Sequence, residues 1–494
     1  MLWLAVHFPA LALEVFPGAA RSAAPFAVAT RPGRGAILIA NAAAARAGAL
    51  IGMPASAACA LVPQLVVRGR DAAAERRALE GAALWAGQFT PLVSLRTARL
   101  ALLAEIGGGL KLFGGLEALL ARVRSGLEEL GYEALLACAP TPAAAELLAH
   151  AGFELTLDAS EAIRPNLSRL PLACLDAGAE TIAALESLGL RTLGECLALP
   201  ADGLARRFGP ALVDQLRRAL GETPDPQPPF APPEHYAAQL ELPAPAEAVE
   251  GLGFGLRRML GELCGLLATR NLGATALALS LEHDDPPATR VALKLSVPSR
   301  DAQHLLALAR ERLARIELPG RVTGLGLRLE SSAQLAPRLF SLFGKPGGCA
   351  DGSAEIRAQL IERLRARMGE TAVCGLQLIP DHRPELAFRE AGPGAGAGPD
   401  VGPARPVARL RGSRPARPLW LVQPARPLAD RDGAPWLAGP LTLDAGPERI
   451  ASGWWDGHDV RRDYFVARTA RGARVWVYRD HGGAAGWFLH GLFA

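Results

Sequence analysis

At 494 residues, half of them hydrophobic and 21% charged, the chain is long enough for several domains and a large buried core, which excludes a small disulfide-stapled scaffold. With 53 basic against 49 acidic residues, its net charge of +4 is too small to argue nucleic-acid binding alone. The distribution says more: from Val401 onward there are 14 arginines against 8 acids, and six of the eight tryptophans, while the chain before is slightly acidic. The seven cysteines (Cys59, Cys138, Cys174, Cys196, Cys264, Cys349 and Cys374) are scattered without a C-x-x-C pair, which argues against a zinc ribbon and fits a reducing cytoplasm. The apolar opening has no basic flank and is interrupted by His7, Pro9 and Glu14, so no leader is expected. No stretch approaches the roughly 18 uncharged apolar residues of a membrane span, and a soluble cytoplasmic protein is expected.

Leu2–Pro9 reads as a strand that runs into His7 and Pro9. Glu14–Pro25 reads as a loop, Phe26–Ala29 as a short strand, and Gly33-Arg34-Gly35 as a turn into the strand Ala36–Ala40. Asn41 should cap a helical turn over Ala42–Ala47 that Gly48 stops, and Gly52-Met53-Pro54 opens another helix to Leu61. A helix over Ala72–Phe89 follows, then strands at Ser94–Thr97 and up to Ala104-Glu105-Ile106, and then GGGLKLFGG. In this order, with the stretch ILIANAAAARAGALIGMPASAACALVP, the chain resembles the Y-family DNA polymerases, and within them the ImuB branch, the catalytically silent member of a bacterial mutagenesis cassette. The resemblance implies a multidomain α/β right hand plus a small β-rich C-terminal domain. Its parts would be a palm over 1–165 with fingers inserted at about 20–65, a helix-hairpin-helix thumb over 166–224, a linker over 225–235 and a little-finger-like domain over 236–333.

A palm-type polymerase gathers two or three carboxylates around a pair of magnesium ions, because these ions take octahedral oxygen coordination. The resemblance puts the first metal-binding Asp at His7 and the later Asp-Glu pair at Arg96 and Thr97. It puts the Tyr and Arg that grip the triphosphate at Ala42 and Ala45, beside Arg46, and the Asn and Lys of the late palm helix at Pro142 and Ala143. Alanine neither ligates a metal nor pairs with phosphate. Glu105 is the one acid left on the second strand pair, and one carboxylate does not hold two dications. No catalytic residue, metal or cofactor is therefore expected. A remnant single-metal site joining His7 and Glu105 is the sharper alternative to a structural role for both.

Leu172–Leu220 is compact and helical, with the hairpin Gly189-Leu190-Arg191-Thr192-Leu193-Gly194 between two short helices. Turn amides and a helix N-terminus of this kind suit a DNA phosphate, which nominates Gly189, Arg191, Gly194, Arg206 and Arg207. A helical packing module with solvated arginines is the alternative. Asp225–Pro233 is a proline-rich, extended tether. Beyond it the order strand Tyr236–Leu242, helix Ala246–Thr269, strands Ala274–His283 and Thr289–Leu295, helix Asp301–Arg315 and strand Val322–Glu330 fits a little finger laid along the duplex. Arg257, Arg258, Arg270, Arg290 and Arg300 are its candidate backbone contacts, or else ordinary surface charge.

The segment 334–345 places an apolar cluster between Ala-Pro-Arg and Gly-Lys-Pro-Gly. Leu339, Phe340, Ser341, Leu342 and Phe343 resemble the bacterial sliding-clamp-binding pentamer, with Leu and Phe where Gln and Leu are usual; a buried terminal strand is the alternative. A helix–strand extension over 350–387 includes an amphipathic helix at Glu355–Met368 with Ile356, Leu360, Ile361 and Leu364 on one side, a strand at Thr371–Ile379, and the polar turn Asp381-His382-Arg383-Pro384-Glu385, to which no chemistry is assigned. Residues 388–418 read as a flexible linker. The module 419–494 reads as short strands between Gly and Asp turns. Its patch of Trp454, Trp455, Arg461, Arg462 and Tyr464, with Asp456 and Asp463, suits a protein hot spot or a stacking platform; core tryptophans are the alternative.

These readings point to a non-catalytic adaptor in DNA damage-induced mutagenesis and translesion synthesis. The resemblance implies four partners: damaged primer–template DNA, the sliding clamp, a RecA-like cassette partner of the ImuA type, and an error-prone replicative-type DNA polymerase. An active translesion DNA polymerase with a divergent metal site is the alternative, and a DNA-binding structural protein without a clamp partner is a third reading.

Overall fold

In the computed structural model, residues 1–31, 34–285, 287–335, 350–369, 371–392, 417–482 and 485–493 are described. They fall into two units, Met1–Arg367 and Met368–Ala494. The first is built on Trp3–His7, an inner strand of a four-stranded antiparallel sheet ordered Val93–Arg96, Ala101–Glu105, Trp3–His7, Leu135–Ala139. Side chains alternate between the two faces of a strand, and here both faces are covered. Trp3 and Ala5 pack with helix Pro142–His150, while Leu4 and Val6 pack with helices Ala72–Ala86 and Leu116–Glu129. The latter helix presents Leu119, Val123 and Leu127 to the sheet at intervals of four, the spacing of one helical face.

Between the first and second strands of that sheet the chain inserts a three-stranded sheet with Phe26–Arg31 at its centre, Arg34–Ala40 antiparallel on one side and Val66–Gly69 parallel on the other. Asn41 caps the helix Ala42–Arg46 as expected, accepting from the Ala44 amide at 2.8 Å. Its amide group also donates to the carbonyls of Ala19 and Ala24, so one buried side chain holds three segments together. The stretch expected to be a loop from Glu14 begins inside a short helix, Leu11–Glu14, whose leucines are buried against Val28 and the palm-side core.

Helices Ala179–Ser187, Leu193–Leu197, Ala201–Phe208 and Pro210–Leu220 follow. Leu185, Leu193, Leu204 and Leu216 share one core with Ala144 and Leu148 of helix Pro142–His150, so this helical segment is packed on the first sheet rather than hung from it. The next domain has the expected strand–helix–strand–strand–helix–strand order. Its antiparallel sheet is ordered Thr289–Ser299, Leu272–His283, Val322–Gln334, Ala237–Ala246, and the helices Gly253–Thr269 and Ala302–Leu313 share one core with it. The first strand runs to Ala246, further than expected, and the helix starts at Gly253 rather than Ala246. Pro243 and Pro245 are tolerated because this is an edge strand, where a missing N–H costs no ladder bond.

The expected amphipathic helix at Glu355–Met368 is part of helix Ala350–Met368. Glu362 is buried, whereas Ile356 and Leu360 are exposed, so the face that turns inward is not the apolar one. Glu362 accepts from the amides of Ser296 and Val297 and from His304 Nε2 at 2.8 Å. The two amides lie where the strand Thr289–Ser299 breaks register, which leaves them free to be met by a side chain.

In the second unit, six antiparallel strands are ordered Ala434–Trp436, Trp420–Arg431, Gly486–Leu492, Arg474–Asp480, Val460–Arg468, Thr442–Ser452. Aromatic side chains pack on both faces: Tyr464, Trp476 and Tyr478 on one, Phe465 and Trp487 on the other. The expected boundaries here need correction. Phe388–Ala391 is a strand paired with Gly375–Leu378, not linker, and the turn at 381–385 is tied into the C-terminal sheet by side chains. Residues 393–416 lie outside the described residues.

Candidate functional site

The end of the first sheet where a polymerase would hold its metals is built by register. His7 pairs with Ala101, and Ala101 with Arg96, so the two positions nominated as degenerate ligands stand level, about 10 Å apart at ordinary strand spacing. His7 stacks on His150 with ring centroids 3.9 Å apart. Burial, reinforced by the His150 ring, pushes the His7 imidazole down to about 4, so it is neutral at neutral pH. His150 is fixed by the carbonyls of Glu146 and Arg99, at 3.0 and 2.9 Å from its two nitrogens.

Arg96 meets Glu146 at 3.2 Å and Asp176 at 3.8 Å. Arg99 meets the same Glu146 at 3.4 Å and donates to the carbonyls of Cys174 and Leu175. The Glu146 side chain is only 6% exposed, so the buried carboxylate of this floor is committed to two guanidiniums. Thr97 opens a short turn, Thr97–Arg99. Ala143 lies in the first turn of its helix, where Asp225 of the tether approaches its amide; burial raises the Asp225 carboxyl above its usual range. This donor set does not fit a pair of magnesium ions, which would need several free carboxylates. Nor do His7 and Glu105 meet. Trp3 pairs with Glu105 and His7 with Ala101, which sets the two four residues apart along the strand, about 13 Å. Glu105 instead accepts from the amides of Leu2 and Gly107. Among the described residues no three His, Cys, Asp or Glu side chains gather to hold a metal.

On the inserted sheet's helix, Ala42 and Ala45 are exposed, and Arg46 folds back on the Ala42 carbonyl at 3.1 Å rather than reaching outward. The hairpin at 189–194 also differs from its expected role. The amide of Gly189 is taken by the Glu186 carbonyl, that of Gly194 by Ser168, and those of Arg191 and Thr192 by the Glu195 carboxylate at 2.5 and 3.0 Å. An anion of the chain's own already sits where a phosphate would be received, so Gly189 and Gly194 are withdrawn as phosphate donors. The side chains of Arg191, Arg206 and Arg207 stay at the exposed surface of the helical segment.

In the following domain, the helix that carries Arg257 and Arg258 covers one face of the sheet. Arg258 is turned inward: it donates to the Tyr132 hydroxyl, meets Glu262 at 3.4 Å, and lies over the Tyr132 ring at 4.7 Å. Burial holds both Glu262 and Tyr132 above their ordinary ranges, and the phenol remains protonated to donate or accept. Arg258 is therefore an interior strut and not a DNA contact. Arg270 spends its guanidinium on the carbonyls of Pro232, Pro233 and Glu234, pinning the tether. The tether is fastened at a second point, where the Phe230 amide donates to Val93. Arg257 is exposed on that helix. The opposite sheet face carries Arg290, Lys294 and Arg328, whose register positions share one parity. The sequence reading named Arg290 but missed Lys294 and Arg328; the alternation in Thr-Arg-Val-Ala-Leu-Lys-Leu was the available signal.

Leu339, Phe340, Ser341, Leu342 and Phe343 lie outside the described residues. The C-terminal patch is divided by the sheet. Tyr464 is core, stacked on Trp476 at 4.1 Å, and Arg462 is tucked between Glu385 at 2.7 Å and the Tyr464 hydroxyl, so neither is open to a partner. Trp454 and Trp455 are 78% and 57% exposed, and Arg461 is exposed beside Asp459.

The profile of the impB/mucB/samB family matches residues 20–150, and that of its C-terminal domain matches residues 238–338. Two relatives named Protein ImuB, from Caulobacter vibrioides strains NA1000 / CB15N and ATCC 19089 / CIP 103742 / CB 15, are each 32% identical over 472 residues, covering 90% of this chain and 100% of theirs. The chain belongs to the ImuB family. Similar solved structures include a Dbh ternary complex (17% identity, TM-score 0.38, covering 68% of this chain and all of that one) and DinB from Sulfolobus solfataricus (18% identity, TM-score 0.38, 67% of this chain and 98% of that one). No helix among the described residues is long and apolar enough to cross a membrane.

Proposed function

We propose that this ImuB-family chain is a non-catalytic adaptor in damage-induced mutagenesis and translesion synthesis. It would hold primer–template DNA, dock on the sliding clamp through Leu339–Phe343, and bring in a RecA-like cassette partner and an error-prone replicative-type polymerase. The observation that carries the reading is the sheet end at His7, Ala101 and Arg96, where Glu146 is committed to Arg96 and Arg99. A nucleotidyl-transfer site must concentrate negative charge to hold its metals, and these residues neutralise one another instead. DNA would be met by Arg191, Arg206 and Arg207 on the helical segment and by Arg290, Lys294 and Arg328 on the open sheet face. Each such contact would add salt dependence and little sequence preference.

Primer extension by the purified chain with magnesium or manganese tests the catalytic half, with no extension expected. Extension abolished by Arg96→Ala would overturn it. Clamp pull-down with Leu342→Ala and Phe343→Ala together tests the docking half; loss of capture is expected, and full capture would remove the clamp from the proposal. Replacing Arg191, Arg206 and Arg207 by Ala should weaken primer–template binding by about tenfold and flatten its salt slope.

A further inference from the structure

The domain built on the sheet Ala237–Gln334 carries a cavity of about 300 Å³ that no role described above uses. It is lined by Arg290, Val291 and Ala292 of strand Thr289–Ser299 and by Arg312, Arg315 and Ile316 at the end of helix Ala302–Leu313. Val291 and Leu313 are buried in the domain core and Ile316 packs against it, so the floor of the cavity is fixed. Past Leu313 the helix tightens. The Arg315 amide donates to the Arg312 carbonyl at 3.3 Å, and the Ile316 amide to the Leu313 carbonyl at 3.0 Å. Side chains three residues apart in such turns lie one above the other, which brings Arg312 and Arg315 to the same side. Thr289–Ser299 is the outermost strand of its sheet, so one of Val291 and Ala292 turns its N–H toward the open rim. Among the described residues no acid lines the cavity. Asp284 and Glu311, on the flanks of these elements, face Arg321 at 3.0 Å and Arg363 at 3.8 Å instead.

We propose that this cup binds a phosphomonoester: the terminal phosphate of a mononucleotide or of a DNA 5′ end. The site goes beyond the adaptor role and does not depend on it. Charge sets the class of ligand. A cation beside a helix C-terminus is accounted for by the helix dipole, but here a further guanidinium arrives from the strand, and three positive charges line one small cavity. An internal DNA phosphate brings a single negative charge. A terminal phosphate brings about −1.5 to −2 at neutral pH and three accepting oxygens, which suits guanidinium forks converging from two directions. Size agrees. At about 300 Å³ the cavity stands at the small end of ligand sites, with room for one sugar phosphate over the apolar floor of Val291 and Ile316 and none for a run of nucleotides. Position separates it from the open sheet face of Arg290, Lys294 and Arg328. Arg312 and Arg315 belong to the helix layer on the other side of the sheet, so only Arg290 stands at the corner between the two.

Isothermal titration of the full chain with thymidine 5′-monophosphate, and with thymidine as the phosphate-free control, tests the site. Fluorescence anisotropy with 5′-phosphorylated and 5′-hydroxyl oligo-dT separates the two sources of the phosphate. Binding of the monophosphate without a preference between the oligonucleotides assigns the site to free nucleotide; a preference for the 5′-phosphorylated strand assigns it to a DNA end. In either case Arg312→Gln with Arg315→Gln should weaken the phosphate-dependent binding by about tenfold or more and leave the 5′-hydroxyl strand unchanged. Arg315→Lys, which keeps the charge and gives up the fork, should lose about threefold on the same ligand and carries the test if the double variant does not fold. Absence of monophosphate binding together with equal affinity for the two strands overturns the proposal. So does phosphate-dependent binding that both variants leave untouched. Equal weakening of the 5′-hydroxyl and 5′-phosphorylated strands by Arg315→Lys would show that the arginines meet internal phosphates, and overturns it as well.

Discussion

His7 shows how packing alone sets the acid response of a strand-end imidazole. In the fold its imidazole stays neutral down to about pH 4, while in the unfolded chain it protonates near its ordinary 6.5. The unfolded state therefore binds the extra proton first, and stability falls as pH drops through that window. At pH 5 the loss should be about 1–2 kcal/mol relative to pH 7, discounted because the ring is only partly buried. His7→Phe should keep the stack on His150 and remove this share of the acid sensitivity. Urea unfolding of both proteins at the two pH values checks it; equal acid losses would show that His7 is protonated in the fold. Glu14 titrates in the opposite sense. Burial raises its carboxyl to about 7, so it costs stability as pH rises through the range between its ordinary 4.5 and that value.

At the scale of elements, what a sequence displays is periodicity, and what it hides is which charged side chain has a buried partner. That the first strand lies beside the strand ending at Glu105 was legible, because both carry apolar runs, whereas the level of His7 with Arg96 was not, since it passes through Ala101 on the strand between them. The strand–helix order of the domain after the tether was legible for the same reason. Arg258 and Tyr464 were not, since nothing local to Arg258 announces Tyr132, more than a hundred residues earlier, and nothing local to Tyr464 announces Trp476 beneath it. Helix Ala350–Met368 is the sharpest case. Its apolar residues mark one side of the helix, but the amides freed by the irregular strand and the His304 ring draw Glu362 inward. Glu362→Ala should leave those groups buried and unpaired, at about 1–3 kcal/mol. Hydrogen exchange over 356–368 should then rise while exchange in helix Gly253–Thr269 stays protected. Unchanged protection of 356–368 would mean that the hydrogen bonds of Glu362 are not what holds the helix.

Within the first unit, Met1–Arg367, successive parts of the chain are packed into one another. The helical segment shares the first sheet's core, and Arg99 ties that sheet to the Cys174–Leu175 turn. Helix Gly253–Thr269 lies against helix Ala72–Ala86 so closely that a Cβ on Gly265 would stand 2.0 Å from the Leu84 carbonyl, and one on Gly81 would stand 2.6 Å from the Glu262 carboxylate. Two backbones at that distance exclude any side chain between them, and the Arg258–Tyr132–Glu262 cluster closes the same seam. In the adaptor role proposed above such close packing would be a gain, because binding surfaces held in fixed relation lose less entropy when a second partner arrives. Gly265→Val should therefore part the helices. Overpacking of this kind costs about 1–3 kcal/mol, and the scattering radius of the 1–367 portion within the full chain should grow as the sheet Ala237–Gln334 swings free. Primer–template affinity should drop with it if Arg290, Lys294 and Arg328 work in concert with the helical segment. An unchanged radius together with unchanged affinity would show that the seam yields without moving the domain, and that the two basic surfaces act separately.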